Sequence, residues 1–394
     1  MEPVPGRLIL WQYARGSSRD SVGDIRTKLH TRLFRDIYCW DAKGEARLAF
    51  DTRLVHDVAS FLRNNFPQVC ESGTILELEL LMIGRSAEKA KPTVMLISED
   101  KAERKRAFEM VKKSGILARY PGFELGHSDL GNLIPLSGSA PSVLSTNEGP
   151  LGGRRLYYEP PGPDRHVRAA TAGGVVSYRD KIMFLTVNHF LENSQKNDSA
   201  IHNSDLDAVE DCEITGLDDL DGPDGDNHHV QSGTFASQSS PSVRPPIPES
   251  LVDSQNHHVQ LPEGDCIVAG KAILRSSECD YALVEVDTGA VDLTTLGDAA
   301  VRLEDPRGPE VNLSSRQVEV YTPGCGTVTG TLGDVPRYVR LPGARSFSKV
   351  YSAEFEQPLS RGDCGAWVKD AATGDFLGHI FAGTCTGNVG AIRP

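Results

Sequence analysis

The stretch PLSRGDCGAWV, residues 358–368, places Gly362, Asp363, Cys364 and Gly365 in succession and runs straight into an apolar segment. Glycines at this spacing suit a tight turn, because they reach backbone conformations that other residues avoid. Such a turn could hold Cys364 as a packed thiol, a metal ligand or a nucleophile. Two other segments bear on the choice. His189 closes the apolar run FLTVNHF, and Asp280 opens CDYALVEV. Histidine exchanges protons near neutrality more readily than any other side chain. Taken singly, each residue also has a plain structural reading: a histidine at a strand end, an aspartate in a strand-capping turn, a buried thiol.

The elements that must position these residues read as β-strands. GGVVSYRDKIMFLTVNHF is a strand pair ending on His189, and DYALVEV is a strand after a turn. QVEVYTPGCGTVTGTLG reads as strand, glycine turn, strand. In FSKVYSAEFEQPL, Tyr351, Ala353 and Phe355 alternate with polar residues. GAWVKDAATGDFLGHIFAGTCTGNVGAI reads as a hairpin turning near Thr373 and Gly374, followed by one further strand. Many short strands with glycine turns and almost no helix indicate an antiparallel barrel or sandwich.

Residues 1–130 read instead as a small α/β domain. LVHDVASFLRNNF puts Leu54, Val58, Phe61 and Leu62 on one helical face. GTILELELLMIG alternates as a half-buried strand with Glu77 and Glu79 on its wet face, and PTVMLI follows as a second strand. SEDKAERKRAFEMVKKSG is a helix capped by Ser98 or Asp100, with Ala107 and Val111 inward and Gly115 at its end. Its Lys101, Arg104, Lys105, Arg106, Lys112 and Lys113 read as a solvated face rather than a phosphate or RNA contact, since no aromatic platform for bases lies nearby.

Residues 131–165 are a Gly/Pro/Ser-rich junction, and 166–394 the β domain, interrupted at 191–262 by a disordered acidic insertion. No Lys or Arg lies between Lys196 and Arg244. The insertion's spaced aspartates lack the fixed spacing of a calcium loop, and His228, His229, His257 and His258 read as loop residues rather than ligands. A formal net charge of −13 argues against a nucleic-acid binder. The run Leu8–Trp11 is too short for a signal-peptide core, and no run approaches the roughly 20 apolar residues of a membrane span. None of the eight cysteines forms a CxxC pair. The expectation is a soluble, cytoplasmic protein with reduced thiols, no cofactor and no resident metal.

His189, Asp280 and Cys364 occur in that chain order, each beside a strand. This resembles the chymotrypsin-like peptidases, two antiparallel barrels with a triad in the cleft between them. There the histidine follows an LTAAH strand, the aspartate opens a D-x-A-L strand, and the nucleophile lies in GDSG. Cysteine in place of serine is similar to the viral 3C-like cysteine peptidases, with their G-x-C-G. Over residues 135–394 the chain also resembles trypsin-like domains of large fungal proteins, which read GDSGSWV, then a GH strand and a closing strand containing Gly-Ala. Residues 1–130 resemble a companion of such domains.

The resemblance implies a chymotrypsin-like double β-barrel and an endopeptidase acting on polypeptides. Cys364 would be the nucleophile, His189 the base and Asp280 its orienter, with the N–H groups of Gly362 and Cys364 as oxyanion hole. Asp363 matches the residue that pairs with a freed N-terminus in zymogen-type relatives, yet no activation cleavage site is evident. Pro358 falls near the base of the specificity pocket, where trypsin-like enzymes carry aspartate, so a preference for Lys or Arg is not implied. His379 is a pocket candidate, since 3C-like enzymes read glutamine with a histidine on this strand. Alignment on the glycines puts that position at Ile380, which leaves His379 otherwise a satisfied barrel histidine. Residues 1–130 would be a contact for a regulatory protein partner. Two departures stand out: the cysteine, and the 91 positions between His189 and Asp280, which the insertion accounts for. An inactive, peptide-holding pseudopeptidase is the alternative function. A zinc site of Cys325, Cys364, His379 and Cys385 is the third reading, though these lack paired ligand spacing.

Overall fold

The computed structural model describes residues 21–30, 36–65, 74–129, 133–134, 138–139, 152–158, 168–178, 181–191, 213–215, 258–260, 270–285, 301–302, 316–342, 344–384 and 387–394. The architecture is mainly β. Six strands close into a barrel: β16 (Arg316–Thr322), β17 (Gly326–Arg340), β18 (Ser348–Phe355), β19 (Trp367–Asp370), β20 (Phe376–Gly383) and β21 (Val389–Arg393). The ring runs β17-β16-β19-β20-β21-β18 and shuts through β17–β18, all antiparallel. Alternation along these strands turns Val318, Val320, Val328, Ala353, Phe355 and Val368 into the barrel core.

A second sheet carries β6 (Gly138–Ser139), β7 (Arg155–Tyr158), β8 (Arg168–Thr171), β9 (Gly174–Tyr178), β10 (Lys181–Thr186), β12 (His258–Gln260), β13 (Gly270–Ser276), β14 (Tyr281–Glu285) and β15 (Val301–Arg302). Its order is β15-β9-β10-β14-β13-β12-β7-β8-β6, and among the described residues the two ends do not meet. The two sheets share one core. Leu156, Ala170 and Phe184 of the second sheet, with Val187 and Phe190 just after β10, cluster with Val320, Leu332, Val368 and Ile380 of the barrel. Each fully buried aliphatic or phenyl group contributes about 2 kcal/mol from water exclusion, so this shared core fixes how the sheets meet.

The N-terminal part comprises β1 (Val22–His30), β2 (Asp36–Ala42), α1 (Gly44–Ala49), α2 (Val55–Asn65), β3 (Leu76–Gly84), β4 (Lys91–Ile97), α3 (Lys101–Ser114) and β5 (Glu124–Ser128). Asp100 caps α3 by accepting from the N–H groups of Ala102 and Glu103, and Gly115 ends it in the left-handed region. Strand β17 outlasts β16, whose pairing ends at Arg316 and Leu332. It stays paired with β18 past a register shift between Leu332 and Pro336, and Tyr338, Val339 and Arg340 also pair with Leu78, Glu77 and Leu76 of β3. The N-terminal strands and the barrel therefore form one continuous sheet.

This junction corrects the expectation for Glu77 and Glu79. Both are buried rather than wet, at 0% and 2% exposure. Arg337 of β17 lies 3.4 Å from Glu77 and 3.3 Å from Glu79, and Arg26 of β1 also pairs with Glu79. Burying the two carboxylates is tolerable because Arg337 and Arg26 reach in to answer their charge. Arg104 departs from the solvated-face reading too. It is buried and donates to the carbonyls of Ser98 and Glu99.

Parts of the expected junction and insertion are strand. β7 lies within 131–165, while Glu213–Ile214 (β11) pairs with β5 and β12 lies between β7 and β13. Apart from Leu191 and Thr215, the rest of 191–262, with His228, His229 and His257, lies outside the described residues. Among the described residues, no helix is long and apolar enough to cross a membrane.

Candidate active site

His189 follows β10 on a single helical turn, His189–Leu191. The next two residues, Phe190 and Leu191, are buried in the shared core, and the Leu191 N–H returns to the Asn188 carbonyl at 2.9 Å. Strand and anchor together fix the position of the imidazole. Asp280 ends the turn joining β13 to β14. It is 2% exposed, and its φ of +47° makes it the one left-handed non-glycine residue among those described. Asp and Asn tolerate this region better than most residues.

The two meet twice. The His189 N–H donates to Asp280 Oδ1 at 2.8 Å, and Nδ1 lies 2.7 Å from Oδ2. A carboxylate at Nδ1 selects, in the neutral ring, the tautomer with its proton there and the lone pair on Nε2. Nε2 is buried on the side where Cys364 neighbours the ring. Burial alone would pull the imidazole pKa down. The charge and hydrogen bond of Asp280, followed by the neighbouring Cys364, outweigh it and hold His189 well above its usual range.

Cys364 comes from the barrel, in the turn between β18 and β19. The turn is built from its own polar groups. Asp363 Oδ2 accepts from the Ser360 N–H at 2.7 Å, and the Asp363 N–H returns to the Ser360 carbonyl at 3.1 Å. Gly362 and Gly365 both have φ of +97°. Both sheets clamp the turn. Thr171 of β8 donates its N–H to the Cys364 carbonyl and its hydroxyl to the Gly362 carbonyl, each at 2.7 Å. From β20, the Ile380 carbonyl accepts from Gly365 at 2.7 Å, and the Ile380 N–H donates to Ala366 at 2.9 Å. A Cβ on Gly365 would lie 2.2 Å from the Thr171 carbonyl oxygen. The thiol itself is fully buried, and Sγ lies 2.9 Å from the Phe381 carbonyl oxygen.

The structure thus brings His189, Asp280 and Cys364 to one place, two from the second sheet and one from the barrel. Gly362 and Cys364, expected as oxyanion donors, flank Asp363 in the turn. Pro358 is exposed, Ile380 is buried in the core, and His379 hydrogen-bonds the Asp280 main chain. Burial, with the Arg393 and His189 charges adding to it, pushes His379 down to about 4 despite Asp280, and its Nε2 is buried without a hydrogen bond.

Sequence reasoning missed Arg155. Burial pushes the Asp363 carboxyl up to about 6, opposed by the Ser360 N–H and by Arg155, whose Nη2 lies 3.6 Å away. The charge that answers Asp363 thus comes from β7 inside the chain. Its position in a Gly/Pro-rich stretch hid it, although RRLYY carries a short strand's composition. Leu133 and Ile134 were missed for the same reason. Among the described residues, no cluster of three or more His, Cys, Asp or Glu could hold a metal. Cys325 is exposed, and Cys385 lies outside the described residues.

No protein-family model matches this chain, and none of the curated proteins is similar to it. Among solved structures it is similar to Protease A of Thermobifida fusca, at 13% identity and a TM-score of 0.31 over 62% of this chain and 90% of that one. It is also similar to the active form of the Rv3671c protease from M. tuberculosis, at 14% identity and a TM-score of 0.32 over 60% and 73%. Likeness this distant assigns no activity.

Proposed function

We propose that this protein is an endopeptidase with a cysteine nucleophile, and that the barrel and the second sheet act as the two halves of a chymotrypsin-like domain. One observation carries the reading: Asp280 holds His189 by main chain and ring beside a cysteine that a glycine turn presents from the opposite sheet. In the reaction, Cys364 gives its proton to His189 and its sulfur attacks the scissile carbonyl. The oxyanion is met by the N–H groups of Gly362 and Cys364, each such donor being worth about 3 kcal/mol in the transition state. The imidazolium returns its proton to the leaving amine, and water, deprotonated by His189, hydrolyses the thioester. Arg155 keeps Asp363 and its turn in place without a cleavage event. A reducing compartment such as the cytoplasm suits this chemistry.

The test is to react the folded protein with iodoacetamide across pH and map the labelled residue by mass spectrometry, with His189→Ala as control. Cys364 should label fastest well below the ordinary thiol pKa of about 8.5, and should lose that advantage without His189. A Cys364 that behaves like Cys279 and Cys325 rejects the peptidase reading. The full burial of Cys364 favours a second reading, a domain that holds peptides without cutting them. An unreactive thiol is the result that reading expects.

A further inference from the structure

We propose that Leu133 and Ile134 form an internal plug on the strand edge along which a peptide must lie to reach Cys364. Strand β20 has two edges. One pairs with β21, through Ile380, Ala382 and Gly383. The other pairs with β19 from Phe376 to His379, and at Ile380 with the nucleophile turn. Beyond that point the edge begins at the Phe381 carbonyl, 2.9 Å from the Cys364 sulfur, and ends at Gly383. Ile134 occupies this end in an antiparallel bridge. Its N–H donates to the Gly383 carbonyl at 2.8 Å and its carbonyl accepts from the Gly383 N–H at 3.0 Å.

An extended peptide binds most readily by adding itself to such an edge, with main-chain hydrogen bonds for affinity and pockets for alternate side chains. The strand period of two then sets the register. A peptide whose residue faces Gly383 carries the residue two places further on opposite Phe381, beside the thiol. The residue facing Gly383 would need the bonds that Ile134 now makes. Peptide and plug therefore compete for the same donor and acceptor.

The plug is held at three points. Leu133 is 2% exposed and packs in the same core as Cys364 and Phe381. Its N–H donates to Glu77 Oε1 of β3 at 2.7 Å. In the sequence Pro135 follows Ile134, which biases Ile134 toward the extended backbone that strand pairing needs. The N-terminal part thus grips one end of the plug through Glu77, while the barrel grips the other through Gly383. Release would open the edge to an extended peptide with a leucine-sized side chain one place before the residue that faces Gly383.

This inference rests on the proposed peptide-binding cleft, but its test does not require catalysis. The probe is acetyl-Leu-Ile-Pro-Leu-amide, the sequence of residues 133–136, titrated by calorimetry into Cys364→Ala protein with and without Ile134→Pro. Proline lacks the N–H that bonds Gly383, so the plug is weakened. A site closed by a competing segment has its affinity reduced by the fraction of time it is open. We expect the peptide to bind at least tenfold more tightly to the doubly substituted protein. Equal affinity in the two proteins, or binding by neither, overturns the proposal. Hydrogen exchange on the Cys364→Ala protein gives a second reading should Ile134→Pro impair folding. Added peptide should strip protection from the Ile134 amide and leave Gly383 protected, whereas an Ile134 amide that stays protected with peptide bound overturns it. Iodoacetamide labelling needs no strand edge. A reactive Cys364 with unchanged peptide affinity rejects the plug alone, and an unreactive Cys364 with tightened affinity rejects the peptidase alone.

Discussion

Asp280 grips His189 at both ends of its residue, the main-chain N–H with one carboxylate oxygen and ring Nδ1 with the other. The imidazole therefore cannot turn about its side-chain bonds without breaking the shorter of the two contacts. Both residues belong to loops of one sheet, so the pair is complete before the barrel contributes anything. What the barrel adds is Cys364, and Thr171 of β8 fixes where it arrives. His189 and Asp280 are pre-assembled, and Cys364 is docked against them across a shared core.

Replacing Asp280 with asparagine should expose this dependence as a shift in pH profile. His189 is held well above its usual pKa, so its charged form, which the proposed reaction uses as proton donor to the leaving amine, persists into alkaline solution. Asp280→Asn removes the charge that opposes desolvation. The alkaline limb of the peptidase rate should then move to lower pH, with kcat falling on the order of 10^2 to 10^4. Rates from pH 5 to 10 on a peptide substrate check this. An unmoved limb means that the Asp280 charge does not set the imidazole.

Gly365 is predicted to be the least replaceable glycine of the turn that carries Cys364. Alanine there meets two obstacles, a φ of +97° and a Thr171 oxygen 2.2 Å from the new methyl. Backbone strain and overpacking each cost about 1–3 kcal/mol, so Gly365→Ala should lose about 3 kcal/mol or more of stability. Gly324→Ala is the matched control. A methyl there touches nothing within 4 Å, and its effect should stay within about 0.5 kcal/mol. Urea unfolding of the two variants separates them.

The parts most legible in the sequence were those with local signals. The barrel strands announced themselves by alternation and glycine turns, as Tyr351, Ala353 and Phe355 do in β18. Gly115 marked one end of α3, and of the two caps the sequence offered, Ser98 and Asp100, the structure uses Asp100. Glu77 and Glu79 were misplaced because an alternating strand looks the same whether its polar face meets water or arginines from distant strands. Arg337 lies 260 positions from Glu77, and nothing local reports it. Arg155, Leu133 and Ile134 failed for a related reason. A short strand inside a Gly/Pro-rich stretch carries little pattern of its own, and its partners are set by tertiary packing.

Arg155→Met should destabilise the protein in a pH-dependent way. The Asp363 carboxyl is raised to about 6 by burial, which the Ser360 N–H and Arg155 partly offset. For a carboxyl raised above its unfolded value, stability is full below about pH 4 and is lost as pH rises through 6. Arg155 limits that loss by answering the charge. Breaking a buried pair from one side typically costs about 3–5 kcal/mol. The deficit of Arg155→Met against the unmodified protein should approach this at pH 8 and shrink at pH 4.5, where Asp363 stays protonated. Urea midpoints at the two pH values check it, and a deficit independent of pH assigns Arg155 to packing alone.

The same reasoning applied to Glu77 reaches the seam between the N-terminal strands and the barrel. Burial lifts its carboxyl to about 7 against the opposing pull of Arg337, while Glu79 adds to the rise and the Leu133 N–H opposes it. Its folded value lies above the unfolded one, so its contribution to stability is full below about pH 4.5 and declines as pH rises through 7. Glu77→Gln keeps an oxygen for the Leu133 N–H and removes the titration. Its stability should therefore vary less between pH 5 and 8 than that of the unmodified protein. Arg337→Met should do the opposite, steepening the alkaline loss by leaving Glu77 and Glu79 buried without their shared cation. Unfolding free energies at half-unit pH steps distinguish the two slopes, and parallel curves for all three proteins would show that Glu77 keeps one protonation state across the range.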